Sequence, residues 1–209
     1  MISIQSLIGK EDEFFNLLEA SAAEAHTSMV ALGKCMANPE MLTRMDEFIT
    51  TRRKDKAITL RIHECLCTTF ITAMEREDIE ALAVALYKIP KTVEKIAERV
   101  ALAPEFLNGI DLASHLALLE KAGETLLMMI KELRLDPQLD RIRLHNNALQ
   151  AIEGQADKNL VALLAYIYKR PDEVVRAIFL KDLFELLERV FDRCRDAGNV
   201  VNRIVLRSS

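Results

Sequence analysis

Leu183, Leu187, Val190, Phe191, Cys194 and Val201 fall on one face of a helical wheel, with polar residues filling the positions between them. Apolar residues at three- and four-residue steps are the signature of a helix with one buried face. The same periodicity runs through most of the chain, and prolines interrupt it. Pro39, Pro104, Pro137 and Pro171 each stand between periodic stretches, as expected of a residue best tolerated at a helix start. Pro90 is the exception and lies inside one. The pattern predicts six helices, over Glu11–Met36, Glu40–Ile71, Glu75–Ala103, Ile110–Leu133, Pro137–Lys169 and Asp172–Leu206. With only 6 glycines and 5 prolines, the chain has too few turns for many short strands. The expected fold class is all-α.

The helix lengths repeat as medium, long, long, then medium, long, long. APEFLNG, from Ala103 to Gly109, divides the two halves, 1–104 and 105–209. This is the pattern of a duplicated three-helix unit. Superposing the halves places Thr51 and Asp55 over Glu153 and Asp157, and Tyr87 and Lys91 over Asp192 and Asp196. One three-residue change of offset is absorbed in a loop.

Composition narrows the function. The 209 residues are 50% hydrophobic and 29% charged, with a net charge of −4. That balance gives no support to nucleic-acid binding, which needs concentrated basic charge. The four cysteines form no CxxC pair and no disulfide framework. MISIQSLIGKEDEFF lacks a basic start followed by an apolar run. No stretch approaches the roughly 18 apolar residues of a membrane span. The chain reads as cytoplasmic, with membrane contact only peripheral or through a partner.

Candidate chemistry lies in the acids. Glu188, Asp192 and Asp196 recur every four residues, which stacks them along one helix stripe about 6 Å apart. Glu153 and Asp157 repeat the spacing one helix earlier. Two such stripes on neighbouring helices can hold a hard or borderline cation. The alternative for the first is a solvated face with Arg189, Arg193 and Arg195 as local partners. Glu153 and Asp157 lie within roughly 40° of Leu149, Leu160 and Leu164 on the wheel. They therefore face a neighbouring helix and need either a basic side chain or a metal. His63 and Cys67 share the i,i+4 spacing of a zinc pair, against the alternative of a core-edge histidine and a buried thiol. TRRKDK, Thr51 to Lys56, is a basic cluster that reads as an anion site or as a solvated face. No Glu-x-x-His pair, phosphate-binding glycine loop or nucleophile elbow is present. An enzyme is not indicated.

Several stretches resemble one family: FFNLLEASAAEAH near the start, TTFITAMEREDIEAL (Thr68 to Leu82), IEGQAD, and ELLERVFDRCRDAGNVVNRIVL (Glu185 to Leu206). In this order they resemble the PhoU-like phosphate-transport regulators, and more closely the branch that accompanies Pit-type inorganic phosphate transporters. The F-x-T-x-x-x-R-E-D-I run (Phe70 to Ile79) and the D-x-x-x-D-x-x-N tail (Asp192 to Asn199) are its most specific parts. The resemblance implies two pseudo-symmetric three-helix bundles with E/D-x-x-x-D metal motifs on the second and third helix of each. Carried over by position, Glu153, Asp157, Asp192 and Asp196, with Glu188 at the edge, would bind divalent or ferric ions such as Fe, Mn or Mg. The first half departs from this pattern, with Thr51, Tyr87 and Lys91 at three of its four acidic positions, and Ala73 replaces the usual proline after F-x-T. Lys91 is expected either to approach Asp55 and stand in for an ion there, or to point into solvent. The implied function is a metal-binding accessory protein of phosphate transport that docks on a transporter or its regulatory apparatus. The competing expectation is a metal-free helical adaptor with solvated acidic faces.

Overall fold

The computed structural model of the protein describes residues 4–37, 45–72, 74–135, 138–170 and 172–208. Six α-helices run through them: α1 (Ile4–Ala37), α2 (Met45–Thr68), α3 (Arg76–Leu102), α4 (Ala113–Glu132), α5 (Leu139–Tyr168) and α6 (Val174–Ser208). A 3₁₀ turn, Pro104–Leu107, joins α3 to α4, and there is no strand among the described residues. The all-α expectation and the six helices hold. The starts expected at Glu40 and Pro137 lie outside the described residues. α1 begins earlier than expected, at Ile4.

The differences at helix ends have local causes. α2 stops at Thr68 rather than Ile71 because side chains take the carbonyls that a further turn would need. The Thr68 hydroxyl donates to Glu64 O at 3.1 Å and Cys65 O at 3.3 Å. Arg76, from the start of α3, donates to Thr69 O at 2.6 Å and to Leu66 O. α4 starts three residues late because the Asp111 carboxylate accepts from Ala113 N at 3.0 Å, a short turn that competes with helix. α3 continues through the buried Pro90 and ends before Pro104, whose ring disfavours helical geometry in the residue ahead of it. The chain then reverses at Gly109, at φ +75°, a conformation open to glycine without strain.

α1, α2 and α3 pack on one another, as do α4, α5 and α6; α1 on α4 and α3 on α6 join the two sets. The predicted α6 face is buried throughout, with Leu183, Leu187, Val190, Phe191, Cys194 and Val201 all within the core. Gly123 allows α4 to approach α1 closely: a Cβ there would lie 2.6 Å from Met29 Cε and 2.9 Å from His26 Cδ2.

Arginines clasp both seams. Arg134, just past α4, donates to Glu19 at 2.8 Å and to Asn16, and its guanidinium lies 5.7 Å from the centre of the Phe15 ring on α1. At the other seam, Asp78 is 3% exposed in the first turn of α3. It accepts from Arg203 Nε at 3.2 Å and Arg207 Nη1 at 2.7 Å, both from the end of α6. The R-E-D-I run therefore does structural work: Arg76 closes α2, and Asp78 fastens α3 to α6.

Both α6 arginines are about half exposed, so they stay solvated if their partner is removed. That keeps the cost below the 3–5 kcal/mol of breaking a fully buried pair. Asp78→Ala is expected to destabilise the protein by about 1.5–3 kcal/mol, read as a lower urea midpoint. An unchanged midpoint would show that the clasp contributes nothing.

Candidate functional site

The second-half acids sit where α5 and α6 face each other, and an arginine stands among them. Arg195 Nη1 pairs with Glu153 Oε1, while its Nη2 lies 3.5 Å from Asp192 Oδ1. The Glu153 side chain is 13% exposed, so its charge needs a partner, and Arg195 supplies it. Asp196, further along α6, is exposed and takes Arg193 at 3.3 Å. The arginine partners proposed for an acidic face are therefore present for Asp192 and Asp196. Arg195 also reaches across to α5, which spacing along one helix does not reveal.

Asp157 and Glu188 are left over. The Glu188 carboxyl is held above its ordinary value, first by partial burial and then by repulsion from Asp157, Asp192 and Glu185. Asp157 and Glu188 thus leave a patch of residual negative charge at the edge of the Arg195 bridge. The donors are all oxygen, which suits hard cations. As they stand they do not form a metal cage: among the described residues no three His, Cys, Asp or Glu side chains gather closely enough to hold an ion.

The first half is built differently. Asp55 is fully buried on α2, and the Ser21 hydroxyl of α1 donates to its Oδ1 at 2.6 Å. Among the described residues its Oδ2 has no hydrogen-bonding partner. Lys91 is exposed and forms no ion pair with Asp55, so the expected charge replacement by Lys91 is wrong. Lys91 lies on the outer side of α3, whereas Thr92, Val93 and Glu94 turn inward. Between α2 and α3 the basic cluster supplies Arg52, which pairs with Glu94. Thr51 turns its hydroxyl back to Glu47 O at 2.9 Å.

The other sequence candidates separate. Cys67 is exposed, not a buried thiol, and His63 is half-buried. Glu77 and Glu80 share their surface pocket, but these four side chains do not converge as ligands. In the D-x-x-x-D-x-x-N tail, Asn199 accepts from Asn146 Nδ2 at 3.3 Å and so fastens α5 to α6.

Burial pushes the Asp55 carboxyl up from 3.8 to about 7; the Ser21 hydrogen bond opposes the shift and Glu24 adds to it. Between those values the folded protein keeps a proton that the unfolded chain has released. Stability therefore falls as pH rises through that window and levels off above about 7. Asp55→Asn keeps the acceptor for Ser21 and carries no charge. It is expected to remove that fall and to leave the variant more stable than the parent at about pH 8, by at most about 4 kcal/mol. Urea denaturation at about pH 5 and pH 8 checks this; an equal gap between variant and parent at both would refute it.

No protein-family model matches the sequence, and no curated protein matches it either. Solved structures do match in shape. A PhoU-like protein from Shewanella oneidensis MR-1 superposes with a TM-score of 0.80 at 18% identity, over 92% of this chain and 99% of the other. A putative PhoU-like phosphate regulatory protein from the same organism gives 0.77 at 18% identity, over 95% and 99%. At that identity the likeness speaks to shape, and it spans nearly every residue of both partners: the chain has the PhoU-like fold.

Proposed function

We propose that this chain is a cytoplasmic, non-enzymatic accessory protein of inorganic phosphate transport, acting by docking on a transporter or its regulatory apparatus. The observation that carries the reading is the fold likeness to a putative phosphate regulatory protein along almost the whole chain. The Phe70–Ile79 run and the Asp192–Asn199 tail support it independently. No described helix is long and apolar enough to cross a membrane, so contact with a transporter is through protein surface. Deleting the protein from its host is expected to change the rate of phosphate uptake. Tagged protein is expected to bring a phosphate transporter with it from detergent-solubilised membranes. Unchanged uptake together with no transporter in the eluate would refute the proposal.

We further propose that Glu153, Asp157, Glu188, Asp192 and Asp196 take a divalent or ferric cation in exchange for Arg195. Asp157 and Glu188 supply the free oxygens, and Arg195 must leave Glu153 and Asp192 for the set to close. Magnesium, manganese or iron suits these donors better than a structural zinc. One observation favours a second reading, the metal-free adaptor: a guanidinium already joins Glu153 to Asp192. Melting of chelator-treated protein separates the two. If the cation reading holds, added manganese or iron stabilises the protein by about 2.7 kcal/mol at a hundredfold excess over its dissociation constant. Asp192→Asn combined with Asp196→Asn abolishes metal uptake, and Arg195→Gln strengthens it. A parent melting temperature that ignores the added metal establishes the adaptor reading instead.

A further inference from the structure

A separate cavity of about 310 Å³ opens between the start of α4 and the second half of α5. Ile110, Leu163 and Tyr166 give it apolar walls, and Asp111, Ser114 and Asn159 a polar edge. That edge is held in place: Gln155 Nε2 donates to Asn159 Oδ1 at 3.1 Å, and Asn159 Nδ2 to Ser114 Oγ at 3.4 Å.

His115 also lines this cavity. It is 1% exposed, and its ring is set edge-on against Phe191, with centroids 5.0 Å apart. Among the described residues neither ring nitrogen has a hydrogen-bonding partner. Burial lowers its pKa to about 4, so at neutral pH the ring is uncharged, with one N–H to give and one lone pair to fill. A buried polar group left without partners is costly, and this one lies at the wall of a cavity. The combination of apolar walls, a few convergent polar groups and a perturbed titratable residue is that of a small-molecule site.

Charge decides the class of ligand. Among the described residues no lysine or arginine lines the cavity, and the one charged residue there is Asp111, whose Oδ1 already accepts from Ala113 N. The positive end of α4 is therefore matched by a carboxylate, and inorganic phosphate finds no counter-charge here. We propose that this cavity binds a small uncharged molecule carrying a hydroxyl or amide on an apolar ring, with the polar group on His115 and the ring against Leu163 and Tyr166. This site stands apart from the Arg195 cluster and does not depend on the phosphate-transport reading.

Benzamide and phenol serve as probes, with inorganic phosphate as the control, against ¹⁵N-histidine-labelled full chain. The His115 ring signals are assigned as those missing from the spectrum of His115→Gln. Benzamide or phenol is expected to shift its ring nitrogens saturably, and phosphate to leave them unmoved. Ala162→Trp, at an exposed position on the rim, fills the entrance without touching the core and is expected to abolish the shift. Four results would overturn the proposal: no shift with either probe, a shift that does not saturate, a shift that survives Ala162→Trp, or a shift caused by phosphate.

Discussion

A carboxylate carried between helices has lost its water and must find a counter-charge, a set of donors or a proton. Much of this molecule is arranged around that requirement. Asp78 meets it with two arginines from the far end of α6, Glu153 with Arg195, and Glu94 with Arg52. Among the described residues Asp55 has only a serine hydroxyl on one oxygen, so the remaining route is to keep its proton. Each solution joins a different pair of helices: α3 to α6, α5 to α6, α2 to α3, and α1 to α2. The apolar faces supply the bulk of the driving force by leaving water. The charged pairs, once made, hold that packing against alternatives, because leaving one partner alone is far worse than making the pair.

The two halves share an architecture but not a chemistry. In the first, the interior acid is neutral below about pH 7 and the fixed cation is Arg52, turned towards Glu94. In the second, Arg195 bridges two of the acids, and Asp157 with Glu188 remains as residual negative charge. The halves thus differ in how their acids are met, by arginines and by a proton, and Lys91 takes no part in it. A guanidinium between two carboxylates occupies the electrostatic role a cation would have, and it is tethered to the chain. Any cation binding on that face is a competition with a neighbour that cannot diffuse away.

Much of the fold was legible because its causes are local. Six stretches with a 3.6-residue period, punctuated by proline, are enough to define six helices and to say which face of α6 is buried. The acidic stripe was legible for the same reason, since Glu188, Asp192 and Asp196 are set relative to one another by a single helix. The short resemblance runs pointed to the right fold. Helix ends were less legible, because Arg76 capping Leu66 and Asp111 capping Ala113 are side-chain decisions that periodicity does not encode.

What only the tertiary structure decided is which charges meet. Ser21 and Asp55 are 34 residues apart, Arg195 and Glu153 are 42, and Arg203 and Asp78 are 125. Each pairing depends on how two helices rotate and slide against each other, which no single helix specifies. Aligning the repeats put Lys91 at the ion's place, but a helix turns 100° per residue, and in the folded chain that position looks outward while Glu94 looks in. The sequence by itself determined the helices, their buried faces and the stock of acids and arginines. The packing of α3 on α6 and α5 on α6 determined which of those acids received an arginine, because a long flexible side chain finds its partner only after the backbones are in place.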